Sequence, residues 1–542
     1  SFCENILRKK ISKIREALKM LPVLDDPQTE LSLVRSCLGF PRFAFAIRST
    51  PTNLIAGAVR EFDEMMQEVA KERFDVSLTE ARYQQWCLPI RLGGMGLQKA
   101  SDTAPAAFLA NVMDTMQLLR QIFGNPDLRD NMIPGAAEAW AHIRGILDEA
   151  EPDLPGTVQD FLSEMGLVDG TKRPHEKQSC EDFISNNKSP TEKPLHSIIQ
   201  QKRLRQSLAQ KDHGRDPTEE PAARNLLRRL ALLRGDRDTG YANNWLNAVP
   251  SEALGLKMSK ACFTVCLKWT LGDAICPPQE CPEKTAQNRK CGANLDAWGD
   301  HAVTCETGSP CIARHALVNT TWLASLKTAG LHVKAEVMVD PDTQKRAADT
   351  FVYNWEKGAP AAHDWQVTHV LRQIGTAKHP TDPDWAIREA ERAKQRADGG
   401  DCEKRGVEYS PLIVDTFGGF GPQAIKAIAK VANHCRVMGD DDANLKKKRL
   451  AQKIRFVTMK GIATQILRRS EVEPVTAEEM EERFEDEEAE AAAPAGEAGH
   501  GVSGVYTTDW KRFRAPSVDE GSDQYLSDSS SCVQTPRKQT PQ

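Results

Sequence analysis

The sequence predicts a multidomain α+β chain, on three observations. A long N-terminal stretch keeps apolar residues at helical spacing, a cysteine- and histidine-rich knuckle interrupts the middle, and strand-like runs then mix with helical ones before a strongly acidic end. At 542 residues the chain exceeds what one core usually organises, so two or three domains plus low-complexity segments are expected.

Residues 1–125 read as helical, with Ile6, Ile11, Ile14, Leu18 and Leu21 near helical spacing. Asp25-Asp-Pro-Gln28 predicts a helix start with Asp26 as N-cap and Pro27 at the first helical position. Gly93-Gly-Met-Gly96 lacks the Lys-Ser/Thr of a phosphate loop and reads as a turn, and Ala104-Pro-Ala-Ala107 opens the next helix. Over 126–221 periodicity fades while Pro, Lys, Glu, Ser and Asp rise. That composition predicts a largely disordered linker with one short helix, Leu195 to Gln210. Residues 222–320 are expected as helices plus a knuckle, with Pro250-Ser-Glu252 as a capping-type start. In 321–470, strands are expected at Val333 to Met338, Thr350 to Tyr353, Asp364 to Val370 and Tyr409 to Phe417, with helices from Trp385, Pro422 and Ala443. Residues 471–542 are acidic, then Ala/Gly/Ser-rich, and are expected to be disordered.

The net charge of −5 hides a split between a basic run, Lys446 to Arg469, and an acidic one, Glu471 to Glu490. Further basic runs occur at Arg8-Lys-Lys10 and Lys202-Arg-Leu-Arg205. Of 14 cysteines, Cys3, Cys37, Cys87, Cys180 and Cys435 are scattered, which fits thiols in a reducing compartment better than a disulfide framework. No apolar run is long enough to span a bilayer, and Ser1-Phe-Cys-Glu4 opens no signal-peptide segment, so an intracellular chain is expected.

Two constellations carry chemistry. Zinc takes four thiolate or imidazole ligands at tetrahedral distance. His301-Ala-Val-Thr-Cys305 supplies one pair. Cys276, Cys281 and Cys291 offer three thiols for two places, and Cys281 with Cys291 is the chosen pair because Cys291-Gly-Ala supplies a knuckle-like turn, with Cys276 in reserve. The step between them carries Lys284, Arg289 and Lys290, a candidate basic finger for phosphate. The second constellation is a spaced carboxylate pair, Asp349 in Arg346-Ala-Ala-Asp349 and Asp364 in Ala361-Ala-His-Asp364. Glu356-Lys-Gly-Ala-Pro360 between them suits a hairpin that sets the two side by side. Paired carboxylates hold Mg²⁺ or Mn²⁺ for phosphodiester hydrolysis, with Glu336 as a further ligand and Lys394, on the following helix, as the cation for the developing charge. Taken singly, each of these residues is more often a cap or a solvated side chain; the ordered set gives them weight.

Several segments resemble the C-terminal half of reverse-transcriptase polyproteins from non-LTR retrotransposons of the type carrying a restriction-enzyme-like endonuclease. Leu21-Pro-Val-Leu-Asp-Asp-Pro-Gln28, Cys37-Leu-Gly-Phe-Pro-Arg42 and Leu88-Pro-Ile-Arg-Leu-Gly-Gly-Met-Gly-Leu97 look like the helical thumb or connection region after the polymerase palm. Trp245-Leu-Asn-Ala-Val-Pro-Ser251 and the run Cys291 to Ala302 look like the approach to its zinc knuckle, with Arg314-His315 following. Asp349, Asp364 and Lys394 match its nuclease pattern, and Pro411-Leu-Ile-Val-Asp415 with Gly418-Gly-Phe-Gly421 matches the strand and turn beyond. The resemblance implies a PD-(D/E)xK-type core at 321–470, nicking of target DNA to prime reverse transcription, partnership with DNA and retroelement RNA but no membrane, and a nuclear site of action. Ala347 stands where that family has Pro, and His363, Trp365 and Gln366 replace more apolar neighbours of Asp364. No polymerase Tyr/Phe-x-Asp-Asp motif is present, and Gly439-Asp-Asp-Asp442 reads as a helix cap or solvated loop. The alternative is a catalytically inactive retroelement remnant that binds nucleic acid through the knuckle and the basic helices.

Overall fold

The first helix, α1 (Phe2–Leu18), buries Leu7, Ile11, Ile14 and Leu18, a 4-3-4 spacing that keeps one face inward. The seam runs through Leu7, while Ile6 is exposed, a one-residue correction to the expected stripe. This is a computed structural model, and it describes residues 2–470 apart from 151–152, 166, 168–177, 187–191, 210–219, 240–242, 277–278, 286, 308–309, 341–344, 347, 376–380 and 438–441. The acidic tail expected over 471–542, and Ala347, lie outside the described residues.

Asp26 caps the next helix, Pro27–Leu33, accepting from the Gln28 and Thr29 amides, with Pro27 at the first helical position. A cap of this kind is worth about 1 kcal/mol. Two longer helices follow, α2 (Ala56–Phe74) and α3 (Ala100–Ile122). α3 begins four residues before the expected Ala104. Its first amides, Ala100 and Ser101, are held by the Asp63 carboxylate of α2 at 2.7 and 3.0 Å, a cap supplied from 37 residues away.

The described residues of 126–221 are largely helical where the composition predicts a largely disordered linker. Four helices stand in this stretch, Ala136–Asp148, Gly156–Glu164, Cys180–Asn186 and Glu192–Leu208. Trp140, Ile143, Ile146, Leu195 and Ile199 pack with Leu109 and Val112 of α3 in one apolar core. Burial of those side chains outweighs the polar average of the segment. The basic run within it is structural: Lys202 donates to the Glu149 carbonyl and Arg205 to the Leu167 carbonyl.

Beyond it come α4 (Ala222–Thr239) and α5 (Lys260–Leu271). The cap of α5 is Ser259, whose hydroxyl accepts from the Cys262 amide, whereas the expected start at Pro250-Ser-Glu252 is a turn closed by Gly255 N–H on the Glu252 carbonyl. Further along, α6 (Pro310–Thr328), α7 (Trp385–Lys394), α8 (Pro422–Val437) and α9 (Ala443–Ser470) surround a four-stranded sheet. Its strands are β1 (Val333–Ala335), β2 (Thr350–Glu356), β3 (Ala359–Thr368) and β4 (Glu408–Asp415), in the order β1-β2-β3-β4.

β2 runs antiparallel to both β1 and β3, and β3 runs parallel to β4. A parallel pair needs a long crossover. Here it passes through α7, which packs Ile387 and Ala390 on Ile413. Leu412 and Val414 point the other way, into a core with Trp322 of α6, Ile428 of α8 and Ile454 of α9. The β2–β3 turn is two residues long, with Glu356 opposite Ala359. Lys357 and Gly358 both have positive φ, +51° and +87°, as a type I′ hairpin demands.

α9 belongs to two cores at once. Ala451, Ile454 and Val457 face the sheet, while Phe456, Met459, Ile462 and Ile466 join the core built by α1, α2 and the knuckle. Its basic character is partly interior: Arg455 donates to the Gly418 carbonyl, and Arg469 donates to the carbonyls of Ala302 and Thr307 at 2.8 and 2.9 Å. Those two arginines are buried and leave no solvent face for phosphate. Asp442 caps α9 by accepting from the Leu445 amide. Among the described residues, the helical region, the knuckle and the sheet fall within one compact unit.

Candidate metal centres

The knuckle folds by local backbone pairing. Gln279 and Glu280 pair antiparallel with Leu295 and Asn294, and the Cys281 amide donates to the Ala293 carbonyl. Between the two cysteines a short hairpin bridges Lys284 to Lys290, with the Cys291 amide on the Glu283 carbonyl. Lys284, Arg289 and Lys290 are exposed on this finger. The Asp296 carboxylate collects the amides of Trp298, Asp300 and His301, turning the chain into the short helix Asp300–Thr304. Gly299, with φ +80°, lies so close to α9 that a Cβ would sit 2.9 Å from Ile466 Cδ1.

That backbone brings Cys281, Cys291, His301 and Cys305 together. Cys291 Sγ lies 3.7 Å from Cys305 Sγ and 3.5 Å from His301 Nε2, and Cys281 Sγ lies 4.0 Å from Cys305 Sγ. A zinc tetrahedron with Zn–S near 2.3 Å has an S···S edge of about 3.8 Å, so the set fits that ion. Cys276 stands outside it, its Sγ directed at the Asp296 carbonyl at 3.7 Å, which resolves the first ligand pair in favour of Cys281 and Cys291. Burial pushes the Cys276 thiol up to about 11 and the Cys281 thiol, beside two other sulfurs, up to about 12. Cys291 goes the other way: hydrogen bonds from the Ala293 amide and the neighbouring thiols outweigh its burial. Burial and the nearby Arg469 charge lower His301, favouring the neutral imidazole that a metal takes.

The second centre forms where β2 meets β3. Thr350 pairs with His363, so Asp349 and Asp364 stand opposite one another, a pairing set by the register shift between Val352 and Glu356. Asp349 Oδ2 accepts from the Trp365 amide and from His315 Nε2, both at 2.9 Å. His315 Nε2 is also 2.9 Å from the Trp365 carbonyl. Asp364 Oδ2 accepts from Lys394 Nζ at 2.5 Å and from the Tyr409 hydroxyl at 2.7 Å. One ligand atom from each of His315, Asp349 and Asp364 lies within 4.8 Å of the others.

The charges divide unequally. Asp364 is buried and faces the Asp349 charge, and its carboxyl is pushed up to about 6 despite Lys394 and Tyr409. For Asp349 burial also raises, but His315 and Lys394 outweigh it and hold the carboxyl below its usual range. His315 is disfavoured as a cation by burial, yet the Asp349 charge and hydrogen bond raise it overall.

Glu336 does not join the ligand cluster. It sits at a positive-φ break after β1 (φ +53°), and its backbone amide holds the Asp349 carbonyl at 2.9 Å. His315 and Tyr409 are the residues that sequence reasoning assigned no role. His315 sits one turn into α6 with its ring aimed at the sheet, and the Arg314-His315 pair was its only local signal. Tyr409 carries the face of β4 that lies beside Asp364 in the parallel register. The polar substitutions beside Asp364 are absorbed by packing. His363 is buried against Trp322 and Trp355, accepts from Trp322 Nε1 at 3.2 Å, and is pushed down to about 3 by burial, so it serves as a neutral core ring.

No protein-family model and no curated protein matches this chain. Among the described residues no helix is long and apolar enough to cross a membrane.

Proposed function

We propose that the chain is the metal-dependent DNA endonuclease portion of a retrotransposon reverse-transcriptase protein, nicking target DNA to prime reverse transcription in the nucleus, with retroelement RNA as its second partner. The observation that carries the reading is the convergence of Asp349, Asp364 and Lys394, from two strands and a crossover helix, on one point of the sheet. Asp349 and Asp364 would hold Mg²⁺ or Mn²⁺, with His315 close enough to join them. Bound there, a divalent ion supplies charge neutralisation at the phosphate and a water of lowered pKa.

The chain's own groups do the rest. His315 orients Asp349, and Tyr409 and Lys394 orient Asp364. Lys394 also brings a positive charge to the place where the scissile phosphate gains negative charge. Exposed Lys284, Arg289 and Lys290 on the finger, and Lys448 and Arg449 near the start of α9, are the groups for phosphate contact.

The test is nicking of supercoiled plasmid with Mg²⁺ or Mn²⁺ against EDTA. Asp349→Ala and Asp364→Ala each reduce nicking below about one-hundredth of wild type. Nicking that survives both substitutions would sink the reading. A second reading has its own support: Asp364 and Asp349 are already satisfied by Lys394, Tyr409, His315 and the Trp365 amide, an arrangement stable without an ion. On that reading the chain binds nucleic acid and cuts nothing. Salt-sensitive DNA binding with no metal-dependent nicking would favour it.

A further inference from the structure

Lys394 reaches Asp364 from the far end of α7, and little apolar packing fixes that helix. Against β4 it offers Ile387 and Ala390, which meet Ile413 in the smallest of the apolar clusters. Apolar packing of this kind resists separation better than sliding or rotation, since it is non-directional, and along the helix Glu391 Oε1 accepts from the Gln423 amide of α8 at 3.3 Å. A directional anchor stands at the other end of the helix.

That anchor is Arg234, on α4, whose side chain is wholly buried. One guanidinium nitrogen, Nη1, donates to the Pro383 carbonyl at 2.7 Å and to Asp384 Oδ1 at 3.1 Å. The other, Nη2, donates to Asp415 Oδ2. Asp384 is the residue immediately before α7, and Asp415 is the last residue of β4. The second oxygen of Asp415 is fixed by the amides of Phe417 and Gly419, at 2.6 and 3.0 Å. Gly419 is required for the approach: a Cβ there would lie 1.7 Å from Arg234 Nη2. The planar fork of arginine suits a group that must hold two carboxylates and a carbonyl at fixed angles.

We infer that Arg234 is a positioning residue for Lys394. It ties the N-terminal end of α7 to the end of β4, and the helix, a stiff rod of about 15 Å, carries that registration to the ammonium facing Asp364. The inference rests on the reading of Asp364 and Lys394 as the reacting centre. It adds that a residue of the helical region, outside the sheet, sets the geometry of that centre.

The variant that isolates the latch is Asp384→Ala. It removes the ion pair between Arg234 and Asp384 and leaves the Pro383 carbonyl bond and the buried Arg234–Asp415 pair in place, and Asp384 is a quarter exposed, so the chain still folds. Amide exchange in α7 is expected to rise about tenfold while exchange in α8 stays as in wild type. Mg²⁺-dependent nicking is expected to fall about tenfold, and Asp384→Asn, which keeps an oxygen acceptor, restores most of it. In a Lys394→Ala background Asp384→Ala has no further effect, because both act through one ammonium. Unchanged exchange in α7, or losses that multiply in the double variant, would overturn the inference. If wild type does not nick, the nuclease reading is what fails, and exchange in α7 alone then decides whether the latch exists.

Discussion

The knuckle and the carboxylate centre are both sets of metal-ligating side chains, but they are assembled in opposite ways. The knuckle draws Cys281, Cys291, His301 and Cys305 from one short length of chain and holds them by its own backbone pairing. The carboxylate centre draws His315 from α6, Asp349 and Asp364 from a hairpin, and Lys394 from α7. Soft thiols in the first are raised or lowered by each other and by burial, with no cation among the four to balance them. In the second, hard oxygens already have cationic partners. The first arrangement suits a soft ion that takes thiolates, whereas the second has its carboxylates already paired and suits a hard ion that exchanges with solvent.

Stripping the knuckle is the largest test of that contrast. Chelation with a strong zinc ligand, or Cys305→Ser, is expected to lower the melting temperature by about 10 °C or more, since structural zinc contributes folding free energy directly. EDTA concentrations that remove only Mg²⁺ should move it by less than about 2 °C. Equal shifts from both treatments would erase the distinction between the two centres.

A smaller effect separates them by pH. In Mg²⁺-free protein, Asp364 is raised to about 6 from a usual value near 3.9, so its contribution to stability is complete below about pH 4 and is lost as pH rises through about 6. The loss is on the order of 2–3 kcal/mol at most. His315, also raised, acts in the same direction, while Asp349, lowered, contributes stability that disappears only on acidification below the ordinary carboxylate range. Saturating Mg²⁺ should abolish the loss above pH 6, and Asp364→Asn should reduce it to the His315 contribution without metal. A pH profile of melting temperature that is flat from pH 4 to 7 in EDTA would contradict this. The smallest expected effect concerns the finger. Replacing Lys284, Arg289 and Lys290 together by Ala should leave folding within about 0.5 kcal/mol but reduce the slope of log affinity for DNA against log salt by about 2.7.

The parts readable from sequence were those whose cause is local. The cap at Asp26 needs only its own tetrapeptide. The two-residue turn at Lys357-Gly358 follows from local residue types, but the opposition of Asp349 and Asp364 also needs the register shift between Val352 and Glu356, which no local spacing gives. The zinc ligands follow from spacing, once Gly292, at φ +74°, turns the chain after Cys291. What was missed depends on distant partners. α3 starts at Ala100 because Asp63 reaches it from another helix. Arg455 and Arg469 counted as surface charge until packing placed them inside. In 126–221 the buried set Ala139, Trp140, Ile143, Ile146 and Leu147 was present in the sequence, but Pro- and Lys-rich flanks diluted it. His315 is one polar residue on a helix, and nothing within its own turn names Asp349 as its partner.

α9 gives the molecule a common keel. Because its side chains are shared between the helical-knuckle core and the sheet core, neither can loosen without exposing apolar surface of the other. Nearest-neighbour sharing of that kind fuses what would be two melting bodies into one cooperative system. The knuckle can then act as ballast for a distant sheet: an ion held by Cys281, Cys291, His301 and Cys305 at one end of the keel would add to the free energy that keeps the carboxylate hairpin closed at the other.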